Sequence, residues 1–330
     1  MPKPKFLVIQ TAFIGDAILA TALLEKLHDH FPESKIDYMI RKGNEGLFQT
    51  HPFIHKLIVW DKKNDKFKNL IRILISVRKN KYDYVINLQR FASTGLFTAF
   101  SKANEKVGFS KNPFSFLFDK KVEHSIDDDS HEIERNQMLI RHFTDEDYFR
   151  PHLYPSEIDF NNVSKYKSRG YICISPASVW YTKQFPKDKW IEFINKLRND
   201  ISVYLLGGPE DNELCESIIL ESSCVGIQNL AGKLTLIESA ALMKDSLMNF
   251  SNDSAPLHLA SAMNAPITAI FCSTSPNFGF GPLSNKSRIV QSKEILKCRP
   301  CGLHGKKECP EKHFKCAYTI DINELISIIS

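Results

Sequence analysis

A carboxylate between two apolar segments is the first candidate for chemistry in this sequence. The stretch QTAFIGDAILA, residues 10–20, places Gly15 and Asp16 between an apolar run and the apolar segment that begins at Ile18. Glycine permits a tight turn, and a carboxylate at a helix start complements the helix dipole. Asp16 therefore either charges the first helical turn or acts as a catalytic base beside a substrate hydroxyl. The loop lacks the glycine patterns of Rossmann dehydrogenases and P-loop kinases.

A lysine behind a loop of small residues is the second candidate. In ISPASVWYTKQFPKDKW, residues 174–190, Ser175, Ala177 and Ser178 precede Lys183. Small residues let backbone N–H groups approach a phosphate, and Lys183 adds a positive charge. The alternative is an ordinary loop with a solvated lysine.

Two more turns in the second half carry polar groups. YLLGGPEDN, residues 204–212, presents Glu210, whose carboxylate suits the hydroxyls of a ribose or simply begins the next helix. NDSAPLHLASAMNAP, residues 252–266, places Asp253, Ser254 and Ala255 before a helix, with His258 one turn later. Backbone N–H groups at this turn would form a second anion site, while His258 is either functional or structural.

Alternating strands and helices must position these loops. Such alternation predicts an α/β fold of two Rossmann-like, doubly wound domains, residues 1–158 and 159–330. Ligands of such sheets bind at the carboxyl ends of the strands, here facing a shared cleft. The predicted strands are Lys5–Ile9, Ile36–Ile40, Lys56–Val59, Tyr84–Leu88, Tyr171–Ser175, Ser202–Leu206, Leu247–Ser251 and Ile267–Phe271, and the predicted helices are Ala17–His28, Lys66–Arg78, Lys187–Arg198, Asp211–Ser222, Leu236–Met243 and Pro256–Met263.

These motifs together resemble one enzyme family. They are the Gly-Asp loop, the pattern K-x-F/W-P-x-x-x-W that ends at Trp190, LGGPED, NLAGKLTLIE and NDSAPLHLASA. From end to end, the chain resembles the ADP-heptose:lipopolysaccharide heptosyltransferases of glycosyltransferase family 9. The resemblance implies a GT-B fold, with the acceptor on the first domain and the nucleotide sugar on the second.

The resemblance also implies a reaction. It is the inverting, metal-independent transfer of a heptose or similar sugar from an ADP-sugar to a lipopolysaccharide core or related glycolipid. Motif matching gives Asp16 the role of general base, Lys183 a contact with the donor diphosphate, Glu210 the ribose and Leu234 the adenine. The turn 253–255 and His258 match the part that contacts phosphate and sugar.

One position departs from the family pattern. The turn is usually Asp-Thr/Ser-Gly, whereas Ala255 stands here in place of glycine. Its methyl group narrows the backbone approach to a phosphate, which bears on donor preference rather than on the class of enzyme.

Two other functions fit the same architecture. One is a catalytically silent protein that binds a nucleotide sugar or a glycan, and the other is a GT-B sugar-nucleotide epimerase. The presence of both Asp16 and Lys183 argues against the silent protein, which could lose either residue.

The first half is rich in basic residues from Lys56 to Lys111. They are either a solvated face or a contact for an anionic acceptor, such as a phosphorylated glycolipid at an anionic membrane surface. We assign acceptor binding to Lys62, Lys63 and Arg90. The net charge of +5 is too small to argue for nucleic-acid binding.

Two groups of residues could bind metals. Asp127-x-Asp129 looks like the D-x-D motif of another glycosyltransferase fold, but we expect solvated acids there and no metal cofactor in catalysis. The tail has the spacing Cys298-x2-Cys301-x7-Cys309-x6-Cys316. Four thiols at these gaps could hold a structural zinc ion, remain free or form disulfides, which are rare in the cytosol.

Composition indicates an ordinary globular protein. The 330 residues are 43% hydrophobic and 25% charged, which is enough to bury a sizeable core. No apolar run is long enough to cross a bilayer, and no signal peptide is recognisable. We expect a cytoplasmic enzyme that meets its lipid acceptor at the inner face of the cytoplasmic membrane.

Overall fold

The computed structural model describes residues 3–126 and 129–329. Contacts within the chain divide it into two compact units, Met1–Tyr154 and Pro155–Ser330. Each unit is a six-stranded parallel sheet flanked by helices.

The first unit is built around β1, which lies at the centre of its sheet. The strand order is β3-β2-β1-β4-β5-β6, and all pairs are parallel. The strands are β1 (Lys5–Gln10), β2 (Lys35–Arg41), β3 (Ile54–Trp60), β4 (Tyr84–Asn87), β5 (Glu105–Phe109) and β6 (Lys120–Val122), and the helices are α1 (Ile14–Leu19), α2 (Thr21–His30), α3 (Lys66–Asn80), α4 (Ala92–Ala99) and α5 (Glu132–Gln137).

The apolar sequence of β1 explains its central position. Phe6, Leu7, Val8 and Ile9 are fully buried, as expected for a strand covered on both faces. Leu7 and Ile9 belong to a core cluster with side chains from the neighbouring strands β2 and β4. A rigid strand therefore leads directly into the loop that carries Asp16.

The second unit repeats this architecture with the strand order β12-β11-β10-β7-β8-β9. All of its strand pairs are parallel. The strands are β7 (Tyr171–Ser175), β8 (Ser202–Leu205), β9 (Ile227–Asn229), β10 (Met248–Asn252), β11 (Ile267–Phe271) and β12 (Ser287–Gln291), and the helices are α6 (Glu157–Val163), α7 (Lys187–Asn195), α8 (Asn212–Glu221), α9 (Leu236–Lys244), α10 (Ala255–Ala262), α11 (Lys315–Tyr318) and α12 (Ile322–Ile326).

The end of the cysteine-rich tail packs into the core of the second unit. Phe314, Cys316 and Leu325 are buried in the same cluster as Trp190 and Phe250. The tail is therefore part of the folded second unit.

The predicted fold class, α/β with two Rossmann-like doubly wound domains, is confirmed. One predicted helix is divided, because Ala17–His28 is two helices that meet at Ala20, and the helices α4, α6, α11 and α12 were not predicted. The hydroxyl of Thr21 donates to the carbonyl of Ile18 at 2.7 Å, and the backbone N–H of Leu23 bonds to Ala20 rather than to Leu19. Among the described residues, no helix combines the length and apolar character needed to span a bilayer.

Candidate functional site

Three candidate residues of the first unit directly follow strands, so they lie at the carboxyl ends of the strands of its sheet. Asp16 lies in the first turn of α1 after β1, Lys62 follows β3, and Arg90 follows β4. Because all of these strands are parallel, their carboxyl ends lie on the same side of the sheet. The side chains are thus mounted on rigid elements of one sheet.

Asp16 is half-buried, and its surroundings make it a stronger base than an exposed aspartate. Burial and, to a smaller extent, the nearby charge of Glu132 raise the pKa of Asp16 from 3.8 to about 6. Backbone hydrogen bonds at Phe13 and Asp16, together with the charge of Arg90, act in the opposite direction. At neutral pH the carboxylate is ionised and ready to accept a proton.

A chain of hydrogen bonds lies behind Arg90. Arg90 Nη1 lies 3.1 Å from His124 Nδ1, and His124 Nε2 lies 3.2 Å from Glu132 Oε2. Since arginine can only donate, His124 accepts at Nδ1 and donates from Nε2 to the carboxylate. Arg135 Nε donates to the same oxygen at 3.0 Å.

Sequence reasoning missed His124, Glu132 and Arg135. Each has less than a tenth of its surface exposed. The available signal was the charged start of α5, where Glu132 and Arg135 lie three residues apart and so face each other on the helix.

Lys62 reaches toward the first loop, whereas Lys63 does not. Lys62 Nζ donates to the carbonyl of Thr11 at 2.7 Å and lies 4.8 Å from the centre of the Trp60 ring. Lys63 is exposed, and its backbone N–H donates to Asp61. The assignment of Lys62, Lys63 and Arg90 to acceptor binding stays a prediction.

In the second unit, Lys183 and Asp253 form an ion pair. Lys183 ends the 3-10 helix Tyr181–Lys183, and its Nζ lies 2.7 Å from Asp253 Oδ2. The two side chains are only 14% and 9% exposed. Thr274 Oγ1 donates to the same carboxylate oxygen at 2.7 Å. A cation and an anion therefore stand side by side where the adjacent strands β7 and β10 end.

Asn252 ties the small-residue loop to the end of β10. Its amide donates to the carbonyl of Pro176 at 2.8 Å, and its oxygen accepts from the backbone N–H of Phe185 at 2.9 Å. The loop between these contacts contains Ala177 and Ser178, both half-buried, and follows the buried Ser175. Asn252 thereby fixes both ends of the segment that carries Lys183.

The remaining donor candidates lie at strand ends of the same sheet. Ser254 caps α10 with an extended backbone, and Ala255 is the first helical residue. His258 is buried one turn later. Glu210 is exposed after β8, and Leu234 is half-buried after β9. Their roles toward a donor stay predictions.

All four tail cysteines line one cavity of about 190 Å³. Burial and, to a smaller extent, the neighbouring Cys301, Cys309 and Cys298 raise the pKa of the Cys316 thiol to about 11. All eight cysteines are free thiols, so the disulfide alternative has no support in the structure.

No metal site is preformed in the part of the chain that the structure describes. Within residues 3–126 and 129–329, no three His, Cys, Asp or Glu side chains are arranged as they would be around an ion. The zinc assignment of the tail stays a prediction. Asp127 of the D-x-D motif lies outside the described residues.

A family model and the curated relatives point to one family. The model of glycosyltransferase family 9 (heptosyltransferase) matches residues 70–315. Lipopolysaccharide heptosyltransferase 1 of Campylobacter coli is 25% identical, and the match covers 98% of this chain and 98% of that relative.

Two solved structures share the fold. The glycosyltransferase family 9 protein of Veillonella parvula has a TM-score of 0.87 at 22% identity, covering 99% of this chain and 96% of that one. The E. coli ADP-heptose lipopolysaccharide heptosyltransferase II has a TM-score of 0.79 at 21% identity and covers 98% of both chains.

Proposed function

The chain belongs to glycosyltransferase family 9 (heptosyltransferase), and on this premise we propose that it moves a heptose from an ADP-sugar to a lipopolysaccharide core or related glycolipid. The observation that carries the proposal is the ion pair of Lys183 and Asp253. A diphosphate binds to a cation, and a sugar hydroxyl donates a hydrogen bond to a carboxylate. In a nucleotide-diphospho-sugar, the diphosphate and the sugar hydroxyls lie next to each other, as Lys183 and Asp253 do. The relatives named for heptose transfer support the choice of sugar.

On the donor side, Lys183 has three N–H donors and uses one for Asp253. The others would bind diphosphate oxygens, assisted by backbone N–H groups of the loop 175–178 and of Ala255. Asp253 would accept hydrogen bonds from the sugar. Glu210 would bind the ribose and Leu234 would pack beside the adenine, with His258 supporting the turn.

On the acceptor side, Asp16 would take the proton of the attacking hydroxyl. The hydroxyl oxygen forms a bond to the anomeric carbon, and the bond from that carbon to the diphosphate breaks. The electron pair leaves with ADP, whose negative charge Lys183 stabilises. Attack opposite the leaving group inverts the anomeric centre.

The basic residues of the first unit would bind an anionic acceptor. Lys62, Lys63 and Arg90 would contact phosphates of the glycolipid, and the enzyme would meet this lipid at the inner face of the cytoplasmic membrane. The family match to heptosyltransferases favours transfer over the silent-protein and epimerase alternatives.

The proposal is tested with ADP-heptose and a core glycolipid that lacks heptose. We expect a product that is one heptose heavier by mass spectrometry, together with free ADP. UDP-N-acetylglucosamine serves as the control donor. Turnover of UDP-N-acetylglucosamine to an epimer, or ADP-heptose binding without transfer to any core acceptor, would contradict the proposal.

The activity should depend on pH through Asp16. Because burial holds the pKa of Asp16 at about 6, the base is ionised above this pH and protonated below it. We expect kcat/KM to fall about tenfold per pH unit below pH 6. The measurement is a rate profile from pH 5 to 8, and a profile that stays flat down to pH 5 would exclude Asp16 as the base.

Transfer should not need an added divalent cation. Lys183 and the backbone N–H groups near it already offer positive charge to the diphosphate. We therefore expect excess EDTA to leave the initial rate unchanged in protein that retains any ion held by its tail cysteines, and the metal content of the protein is measured in parallel. Loss of activity that Mg²⁺ or Mn²⁺ restores would show that catalysis depends on a metal.

A further inference from the structure

The tail cysteines surround a space next to the donor loop. Cys298, Cys301, Cys309 and Cys316 line the same cavity, together with Thr182 and Lys306 among others. Cys298 Sγ also lies 4.0 Å from His313 Nε2. Thiolates are the soft ligands that zinc and ferrous iron take in closed tetrahedral sites.

The cavity is wide enough for the ligands to close in. Its volume of about 190 Å³ exceeds the space that one ion needs, and no three described ligand groups already converge on one point. Cys298, Cys301 and Cys309 lie outside helices and strands, whereas Cys316 is fixed in α11. Three adaptable ligands can therefore move toward an ion beside one fixed ligand.

The same segment is hydrogen-bonded to the element that carries Lys183. The backbone N–H of Thr182 donates to the carbonyl of Lys306 at 3.1 Å, and the N–H of Lys306 donates to Thr182 Oγ1 at 2.8 Å. Ser273 Oγ donates to Thr182 Oγ1 at 3.0 Å, while the carbonyl of Ser273 accepts from the N–H of Cys301 at 2.8 Å.

A second set of contacts leads to Asp253. Arg299, which lies between two of the cysteines, donates to the carbonyl of Thr274 at 2.9 Å. The side chain of Thr274 donates to Asp253. Both members of the Lys183–Asp253 pair are thus held by residues that contact the segment 298–306.

Gly305 shows how closely the segment approaches Lys183. It has a φ of +75°, and a Cβ atom at this position would lie 3.0 Å from Thr182 Oγ1 and 3.1 Å from Lys183 Cγ. Gly302 has nearly the same backbone, with a φ of +76°, but a Cβ atom there would meet nothing within 4 Å.

We propose that the four tail cysteines bind one thiophilic divalent ion, zinc or ferrous iron, and that this ion holds the segment 298–306 against Thr182 so that Lys183 is placed for the donor. The metal site stands on the cavity and its ligands alone. The effect on the donor rests on the proposed function. Because coupling between two sites is reciprocal, nucleotide binding should also tighten the hold on the ion.

The metal site is tested by elemental analysis of protein purified without a metal-affinity step under anaerobic conditions. We expect about one zinc or iron ion per chain, and the analysis tells the two apart. The double variant Cys298→Ser/Cys309→Ser should lose the ion. Cys224→Ser, which changes a half-buried cysteine of the same unit outside the cavity, should retain it.

Coupling to the donor is tested by calorimetry with ADP. Removal of the ion should weaken ADP binding about tenfold, within the usual range of coupling between sites. Gly305→Ala should weaken ADP binding by a similar factor and keep the ion. Gly302→Ala, with the same backbone strain but no contact, should bind ADP as the wild type does.

Three outcomes would overturn parts of the proposal separately. Protein that carries no ion and takes up neither Zn²⁺ nor Fe²⁺ on titration has no metal site. Equal ADP affinity in the metal-loaded, metal-free and Gly305→Ala proteins would contradict the coupling to the donor but not the metal site. A loaded wild type that does not bind ADP would instead contradict the proposed donor.

Discussion

Replacement of Asp16 by asparagine is expected to lower kcat at least ~100-fold, the usual scale for a positioned base. Asparagine keeps the size of the side chain but cannot accept the proton of the attacking hydroxyl. ADP affinity should be unchanged, because Asp16 lies in the first unit and the proposed donor contacts lie in the second. Steady-state kinetics and calorimetry with ADP measure the two effects independently.

The stability of this variant gives a check that the fold is intact. The pKa of Asp16 is raised from 3.8 to about 6, so the folded state favours the protonated form. The stability that this preference contributes is present below pH 3.8 and is lost as pH rises through about 6. Asparagine stays neutral, so Asp16→Asn should melt at a higher temperature than the wild type above pH 6 and lose this advantage near pH 4.

Asp29→Asn is the matched control in the same unit. Asp29 is exposed on α2, and we expect its replacement to leave kcat unchanged. Near-normal turnover by Asp16→Asn would remove Asp16 from the role of base. If the melting temperature of Asp16→Asn equals that of the wild type at every pH, burial does not disfavour the ionised form of Asp16.

The architecture could be predicted because local patterns dictate it. Two apolar runs, Phe6–Ile9 and Tyr171–Ser175, predict central strands of parallel sheets. In the structure both are buried and lie in the interior of their sheets. The strands β5, β6, β9 and β12 were not predicted. They are short or lie toward the sheet edges, where polar residues interrupt the apolar pattern: Lys120–Val122 is an example.

The candidate site could be predicted only in part. Asp16, Lys183 and Asp253 each follow a strand in the sequence, so their position at a carboxyl edge was expected. The ion pair between Lys183 and Asp253 was not expected, because it depends on the adjacency of β7 and β10, which are far apart in the chain. The Arg90–His124–Glu132 chain likewise joins loops whose proximity no local pattern reveals.

Replacement of Lys183 by alanine is expected to weaken ADP binding about 10- to 100-fold, the scale of a hydrogen bond to a charged group. The reason is twofold. The variant loses its charge-assisted contact with the diphosphate, and it leaves Asp253, which is 9% exposed, without the partner that neutralises it. Lys187→Ala is the control, since Lys187 pairs with the exposed Glu221 at 2.6 Å.

Asp253→Asn separates the two halves of the ion pair. An unpaired carboxylate repels a diphosphate, so the double variant Lys183→Ala/Asp253→Asn should regain part of the ADP affinity that Lys183→Ala loses. Asp253→Asn alone should bind ADP at least as tightly as the wild type but transfer heptose poorly, because the hydroxyls of the donor sugar lose the carboxylate that accepts their hydrogen bonds.

Calorimetry with ADP and ADP-heptose measures all three variants. If Asp253→Asn weakens ADP as much as Lys183→Ala does, Asp253 serves to position the lysine and does not bind the sugar. Unchanged ADP affinity in Lys183→Ala would remove the lysine from the diphosphate altogether.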